Sequence, residues 1–433
     1  MTKASEKVRL GRDFNLFWTG QSVSFIGDKI NLFVVPTIMI LFLDATSFQV
    51  GLVSMAQWVA IPLLSLVAGV LVDRWDLRWT LIWCDLIRFV AIAILPVAYW
   101  MGFLSVGLVF ASVATVSAAA VFFNIGYTTS IAALVPDKNR VRAYSRLEGS
   151  RTTSEVIGPA IASGLYSLLS VVSLFANAVA YLFSAATIGA MKPHGTRTAA
   201  SVPMWTRLKR GVQLNLKDPV LRGTVLGAFL LNSGGPIFVT VMPILAYRGL
   251  NMSVGMLGLV MSGAAVVAVL GAVVAQRVSE RIGPARMSPI SLFMHCFVGL
   301  GVLLAPWLPA ALVLFVTQSL YGLFMVWFNV STAAIRLARV PAEDQAVSQA
   351  AFRTITWGII PFAALIGGVL VEALTGPLGI LNAAKYTMVG ATLIGVLVGW
   401  IPLAPTHRRL EREKAEQKEA EMLAAEEPEV TPA

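Results

Sequence analysis

Within the long apolar stretches of this chain, ionisable residues are few, and most of them come in pairs. Asp28 and Lys29 are adjacent, Asp85 and Arg88 are three apart, Arg151 and Glu155 are four apart, and Arg353 and Lys385 stand in the second half. Separations of three and four bring side chains together on one helical face. The chemistry on offer is therefore ion pairing, proton uptake by a carboxylate, or recognition of a charged ligand. A charged side chain at the centre of a membrane helix costs about 2.5–3.5 kcal/mol on insertion scales, so its presence points to function or to a partner.

These groups differ in depth. Asp85 and Arg88 lie within two turns of the end of their run and read as a local structural pair. Arg151 and Glu155 lie deeper and read equally as an internal ion pair or as part of a proton and substrate relay. Asp28 sits about 22 Å along its helix at 1.5 Å per residue, too deep to snorkel, which makes it the first candidate for proton coupling, ahead of Glu155 and Arg151. Lys29 points about 100° away from it and can pair with Glu155; a fixed pair of Asp28 with Lys29 or Arg151 is the structural alternative. Asn124, Asn232 and Asn329 place amides in other apolar runs, either to line a substrate cavity together with Arg353 or only to join helices. The stretch Asn232-Ser233-Gly234-Gly235-Pro236 could break its helix beside that cavity, with helix joining by its polar residues the equal alternative.

Other chemistries find little support. Cys84 and Cys296 lie in separate apolar runs, and His194, His295 and His407 are scattered, which gives neither a disulfide framework nor a metal-ligand cluster. No G-x-x-x-x-G-K-[ST] loop occurs, so no P-loop binds ATP. No cofactor, metal or catalytic residue is expected, and the chain does not read as an enzyme.

The elements that position these residues are helices. Of the 433 residues, 57% are apolar and 13% charged, with a mean hydropathy of +0.76, whereas soluble domains carry roughly a quarter charged residues. A helix needs roughly 20 apolar residues to cross about 30 Å of hydrocarbon. Such runs occur at 14–43, 48–72, 80–100, 104–135, 146–168, 171–191, 220–245, 254–276, 287–306, 309–335, 347–371 and 380–403. The formal charge of +10 is spread over alternate connections; the opposite side holds Arg248 alone. That asymmetry predicts both termini in the cytoplasm and argues against a nucleic-acid groove. Between the sixth and seventh runs, Trp205, Leu208, Val212 and Leu216 recur at helical spacing beside Arg207, Lys209, Arg210 and Lys217, as in an amphipathic helix lying on the inner leaflet. The tail from Arg408 to Glu429 is charge-dense and expected to fray.

The chain also repeats itself at a little over 200 residues. Pro36 and Gly51 match Pro243 and Gly258, and Phe123, Asn124 and Pro136 match Phe328, Asn329 and Pro341. Arg151-Thr152-x-Ser154-x-x-Ile157-x-Pro159 matches Arg353-Thr354-x-Thr356-x-x-Ile359-x-Pro361. Two copies of six spans enter the membrane in the same direction, an arrangement that places a substrate site between the halves near the midplane. The expected domains are 1–191, a six-helix bundle; 192–218, a cytoplasmic amphipathic linker; 219–404, a second six-helix bundle; and 405–433, a charged tail. A channel or a membrane-embedded enzyme is the alternative to transport.

Between the second and third spans stands Gly69-Val-Leu-Val-Asp73-Arg74-Trp-Asp-Leu-Arg78. It resembles the G-x-x-x-D-R-x-x-x-R signature that the major facilitator superfamily carries in the same loop. The resemblance implies gating roles: Gly69 permits close helix packing, while Asp73, Arg74 and Arg78 form a charge latch on the cytoplasmic side. The second-half counterpart, from Gly271 to Gly283, lacks the aspartate. Phe17-Trp18-x-Gly20-Gln21-x-Val23-Ser24 and Asp85-Leu86-Ile87 look like the macrolide-efflux branch of drug:proton antiporters, and Gly158-Pro159 resembles the antiporter glycine-proline signature without all of its flanking glycines.

Taken together, these readings predict an all-α membrane protein of twelve transmembrane helices in two pseudo-repeated bundles. It would sit in a bacterial inner membrane as a monomer and export a small amphiphilic molecule, a drug or macrolide-like antibiotic, in exchange for protons. A dedicated exporter of a siderophore or self-made natural product is the second expectation, and a non-transporting membrane sensor the third. The expected partners are the small-molecule substrate, protons and the lipid bilayer, with no nucleic acid.

Overall fold

The computed structural model describes residues 10–72, 74–192 and 204–426. Among them are thirteen α-helices and no strand: α1 Arg12–Leu41, α2 Ser47–Val72, α3 Leu77–Trp100, α4 Val106–Leu134, α5 Asp137–Leu169, α6 Leu174–Gly189, α7 Met204–Lys217, α8 Pro219–Ile244, α9 Val254–Ile282, α10 Pro284–Gly301, α11 Ala310–Arg339, α12 Gln345–Trp357 and α13 Ile360–Glu426. Short polar side chains start several of them. Asp76, Ser105, Asp218 and Ser253 each accept from a first-turn amide of α3, α4, α8 and α9, which satisfies donors that a helix start leaves free.

Among the described residues, ten apolar helical runs are long enough to cross a membrane. Two of them, Asp137–Gly189 with 53 residues and Val347–Leu393 with 47, extend about 80 and 70 Å at 1.5 Å per residue, enough for two crossings each. The first turns at Ser170, with φ of 49°, before a 3-10 turn leads into α6. The second turns at Gly379, where φ of 72° within α13 divides one helix from the next; only glycine takes that conformation without strain. The fold is therefore twelve spans in two six-helix halves, α1–α6 and α8–α13.

α5 begins nine residues before the apolar run predicted at 146, because Asp137–Arg146 continues the helix as a polar extension. A break at Asn232–Pro236 does not occur: α8 runs unbroken from Pro219 to Ile244 with Pro236 and Pro243 inside it. Gly235 serves close packing instead, since a Cβ there would stand 2.7 Å from the Tyr321 hydroxyl.

The packing of the two halves is lopsided. One apolar cluster runs through both of them, from Ile38 and Val53 in the first half to Val241, Leu257 and Ala363 in the second. It occupies the end remote from the lysine- and arginine-rich connections, called here the far face. Towards the basic face the core separates in two. Phe14, Leu81, Ile131 and Leu147 pack within the first half, and Val225, Leu292, Phe328 and Phe352 within the second. The two cores are thus joined at the far face and separate towards the basic face.

α7 packs chiefly against α12 and α8 of the second half and also touches α2 of the first. Gly211 is seated so close to the Val347 carbonyl that a Cβ would fall 2.4 Å from it. Asn215 donates to the main-chain oxygen and hydroxyl of Ser348 at 2.9 and 3.1 Å, and Arg210 pairs with Asp344 at 2.8 Å. The expected helix of the connection is present and docks on the second half; residues 193–203 of the connection lie outside the described residues.

Candidate functional site

Two adjoining cavities occupy the centre of the molecule and share Leu32, Gln57 and Trp58. The first, of about 270 Å³, lies in the first half and is lined by Gln21, Asp28, Lys29, Arg88, Asn124 and Tyr181 among others. The second, of about 380 Å³, opens between the halves; Pro36, Trp58, Asn232, Tyr321, Asn329 and Trp357 are among its walls. A polar, charged chamber therefore joins a larger one of mostly aromatic and aliphatic surface, the form common to small-molecule sites.

The charged chamber is walled mainly by α1 and α4, with α2, α3 and α6 adding Trp58, Arg88 and Tyr181. Small residues let α1 and α6 approach: a Cβ at Gly20 would collide with Thr187, and one at Gly27 would stand 2.7 Å from the Asn177 amide. At this depth the Tyr181 hydroxyl donates to Asp28 Oδ1 at 2.6 Å. Arg88 pairs with Asp85 on its own helix, and its guanidinium lies over the rings of Phe123 at 4.1 Å and Tyr181 at 4.5 Å. Tyr181 thus touches both Asp28, through its hydroxyl, and Arg88, through its ring, and among the described residues Asp28 forms no ion pair with Lys29 or Arg151. Asp85 forms the local pair with Arg88 that its position suggested.

Lys29 turns towards α5. A Cβ at Gly158 would stand 2.5 Å from the Lys29 Cβ, so the glycine before Pro159 gives the lysine stem its passage. Lys29 Nζ reaches Glu155 Oε1 at 3.3 Å, and Arg151 Nη1 reaches the same oxygen at 3.2 Å. Arg151 also holds Glu148 through Nε at 3.0 Å. Arg151 and Glu155 keep 51% and 44% of their side-chain surface, so this chain of charges is not sealed among helices.

The remaining candidate residues are more dispersed. Asn232 donates to the Thr356 carbonyl at 3.0 Å from the wall of the second cavity. Arg353 lies with its guanidinium 5.3 Å from the Trp357 ring centroid, one turn from a wall residue. Gly69 is buried in α2, and Arg74 is exposed just beyond it. Arg78 donates to the carbonyls of Ile188 and Gly189 at the end of α6. Asp73 lies outside the described residues.

Closure of the far face brings together residues that motif reading passed over. Thr37 and Tyr247 share a hydrogen bond of 3.0 Å, and Arg248 pairs with Asp44 at 2.7 Å. Glu372 accepts from the Ser47 and Phe48 amides at the start of α2, at 2.8 and 3.3 Å, a favourable place for a carboxylate. The Ala160 amide donates to Ser262 at 2.9 Å. Gly51 and Gly368 bring α2 and α13 into backbone contact; a Cβ on Gly51 would meet the Gly368 Cα at 2.9 Å.

The fold is shared with solved transporters. The chain resembles the nucleoside transporter NupG (16% identity, 91% of this chain and 99% of that one, TM-score 0.75) and a bacterial homologue of the human lysosomal transporter Spinster in an inward-facing, unoccupied state (14%, 94% and 99%, TM-score 0.75). A bacterial homologue of the iron transporter ferroportin matches at TM-score 0.73 in its inward-facing state (16%, 92% and 98%) and 0.58 in its outward-facing state (16%, 92% and 99%). No curated protein sequence matches the chain closely enough to count as a relative. The model of the Major Facilitator Superfamily matches residues 17–364 and, in a second overlapping placement, 225–429. With twelve spans, two six-helix halves and a cavity between them, the chain is a membrane transporter of the Major Facilitator Superfamily.

Proposed function

We propose that this protein exports a small amphiphilic molecule from the cytoplasm in exchange for protons, as in the drug and macrolide-efflux antiporters that its first half resembles. The observation that carries the reading is the junction of the two cavities. A membrane-embedded carboxylic acid, Asp28, held by Tyr181, opens beside a chamber walled by Trp58, Tyr321 and Trp357. Asp28 is the proton-coupling group, with Glu155 and Arg151 as its relay; Asn124, Asn232, Asn329 and Arg353 contact substrate. On the positive-inside rule the basic face is cytoplasmic, in a bacterial inner membrane, with both termini on that side.

The separation of the two cores towards the basic face corresponds to a state open to the cytoplasm, and the higher TM-score to the inward-facing ferroportin homologue supports that reading. In the opposite state Gly69, Asp73, Arg74 and Arg78 would form the latch that closes the basic face. The test uses everted vesicles energised by respiration. Addition of substrate should dissipate the proton gradient while substrate accumulates inside. Accumulation that survives collapse of the gradient by an uncoupler removes the exchange mechanism.

A further inference from the structure

The repeat places Arg353 where Arg151 stands in the first half, but the two arginines differ in company. Arg151 is held by Glu148 and Glu155. At the matching offset of 202 residues the second half has Ala350 and Trp357, so Arg353 has lost both carboxylates and rests over the Trp357 ring. Among the described residues no acidic side chain pairs with it.

A second arginine stands close by in the same condition. Arg336, in the last turn of α11, is 8% exposed and stacks on the Phe352 ring at 3.6 Å. Its Nη2 donates to Gln349 Oε1 at 3.0 Å, while Nη1 is buried with no hydrogen-bond partner among the described residues. Arg353 is near enough for its positive charge to bear on Arg336. A buried guanidinium without a carboxylate is costly, and a second cation beside it adds to that cost. The end of the α11 dipole relieves part of it but supplies no acceptor for Nη1. Both rings beneath these guanidiniums, Phe352 and Trp357, are walls of the cavity between the halves.

We propose that Arg336 and Arg353 form an anion-binding site at the basic-side mouth of that cavity, and that the transported molecule is an amphiphile bearing a carboxylate, phosphate or sulfonate. The anionic group takes the place that Glu148 and Glu155 fill in the first half, and the apolar body lies against Phe352 and Trp357. The proposal rests on the reading that this cavity holds the transported molecule, but it does not depend on what ion drives transport.

Equilibrium binding tests it without any gradient. The full chain, in phosphatidylcholine nanodiscs, is titrated with naphthalene-2-sulfonate and with its neutral match, naphthalene-2-sulfonamide. The sulfonate should bind the wild type about tenfold more tightly or better, the equivalent of about 1.4 kcal/mol or more, with an affinity that falls as salt rises. Arg336→Gln and Arg353→Gln should each bring the sulfonate down towards the sulfonamide and leave the sulfonamide unchanged, which also shows that the variant is folded. Ala350→Glu, at an exposed position, restores the carboxylate spacing of Glu148 to Arg151 and should abolish the preference. Equal affinity of the two probes for the wild type, or failure of both to bind, overturns the proposal. Loss of sulfonate binding when phosphatidylglycerol is added to the nanodisc assigns the site to a lipid headgroup and overturns the substrate assignment. Failure of proton exchange in vesicles, with the sulfonate preference intact, would refute the coupling mechanism and leave the anion site standing.

Discussion

Arg248 of the second half places its guanidinium 2.7 Å from the carboxylate of Asp44 in the first, and the same group reaches the Ile40 carbonyl at 3.4 Å. From the sequence, Arg248 is the lone basic residue of its side and a natural neutral control for substitutions of Arg151 and Arg353. The structure gives it a contact that must break whenever the far face opens. Asp44 keeps 95% of its side-chain surface, so the pair is worth about 0.2–1 kcal/mol. Arg248→Gln should therefore shift the balance towards the far-face-open state by at most about fivefold. Spin-label distances between the end of α1 and the α8–α9 loop measure this, and an unchanged distribution refutes a gating role.

Glycine contacts at the same face predict a larger effect. A Cβ on Gly368 would fall 2.4 Å from the Ser47 carbonyl, a main-chain atom that cannot turn aside. Gly368→Ala should prevent full closure and lower transport by about tenfold or more, since a misfit of even 1–2 kcal/mol weighs directly on the closed state. Gly164→Ala, with nothing within 4 Å of the new Cβ, is the matched control. Equal activity of the two variants would sink this argument.

Asp28→Asn keeps the shape of the acid and removes its proton chemistry. Substrate binding should persist, while uphill efflux and its pH dependence disappear. Tyr181→Phe deletes the donor to Asp28 and should slow transport less, because the carboxylic acid remains. If Asp28→Asn exports substrate uphill with an ordinary pH profile, the coupling role passes to Glu155.

Asp218, just before α8, accepts from the Val220 and Leu221 amides at 2.7 and 3.0 Å and from Arg339 Nε at 3.0 Å. Burial pushes its carboxyl up, but the amide of Leu221, the Arg339 guanidinium and the amide of Val220 together outweigh it, leaving the group below the usual carboxylate range. A lowered folded-state value stabilises the fold above the ordinary titration range of aspartate, and that stability is lost as pH falls through the depressed value. Asp218→Ala should cost about 1–2 kcal/mol near neutral pH, and its melting temperature should converge with that of the wild type in acid. A constant gap at all pH values would refute the assignment.

Apolar periodicity marks the spans because length and hydropathy alone decide whether a helix can cross lipid. It marks only their apolar portions and so passes over the polar start of α5 at Asp137, and it offers Gly234-Gly235-Pro236 as a break where Gly235 makes room for Tyr321. At the central site, the charged residues of α1, α3 and α5 stood out against their surroundings. Tyr181, Trp58 and Trp357 did not, since an aromatic side chain in an apolar run gives no sign of facing a cavity. A signal for Tyr181 did exist, in the polar atom of Asn177 four residues earlier on the same face of α6. Asp44, Glu372 and the docking of Asn215 on Ser348 depend on pairings across more than 100 residues, and the internal repeat does not report such pairings.

The seating of α7 on α12 also bears on how the polypeptide can be divided. Gly211, Asn215 and Arg210 bind α7 to Val347, Ser348 and Asp344, so the helix is a constituent of the second bundle although it is tethered to the first. Two separately translated fragments that part between Lys192 and Met204 would leave each bundle its full set of packed helices. Fragments that part after Lys217 would strip the second bundle of one wall and leave the buried Asn215 and the Gly211 surface without their counterparts. Complementation by the first pair and not by the second follows from which side of the cut α7 falls.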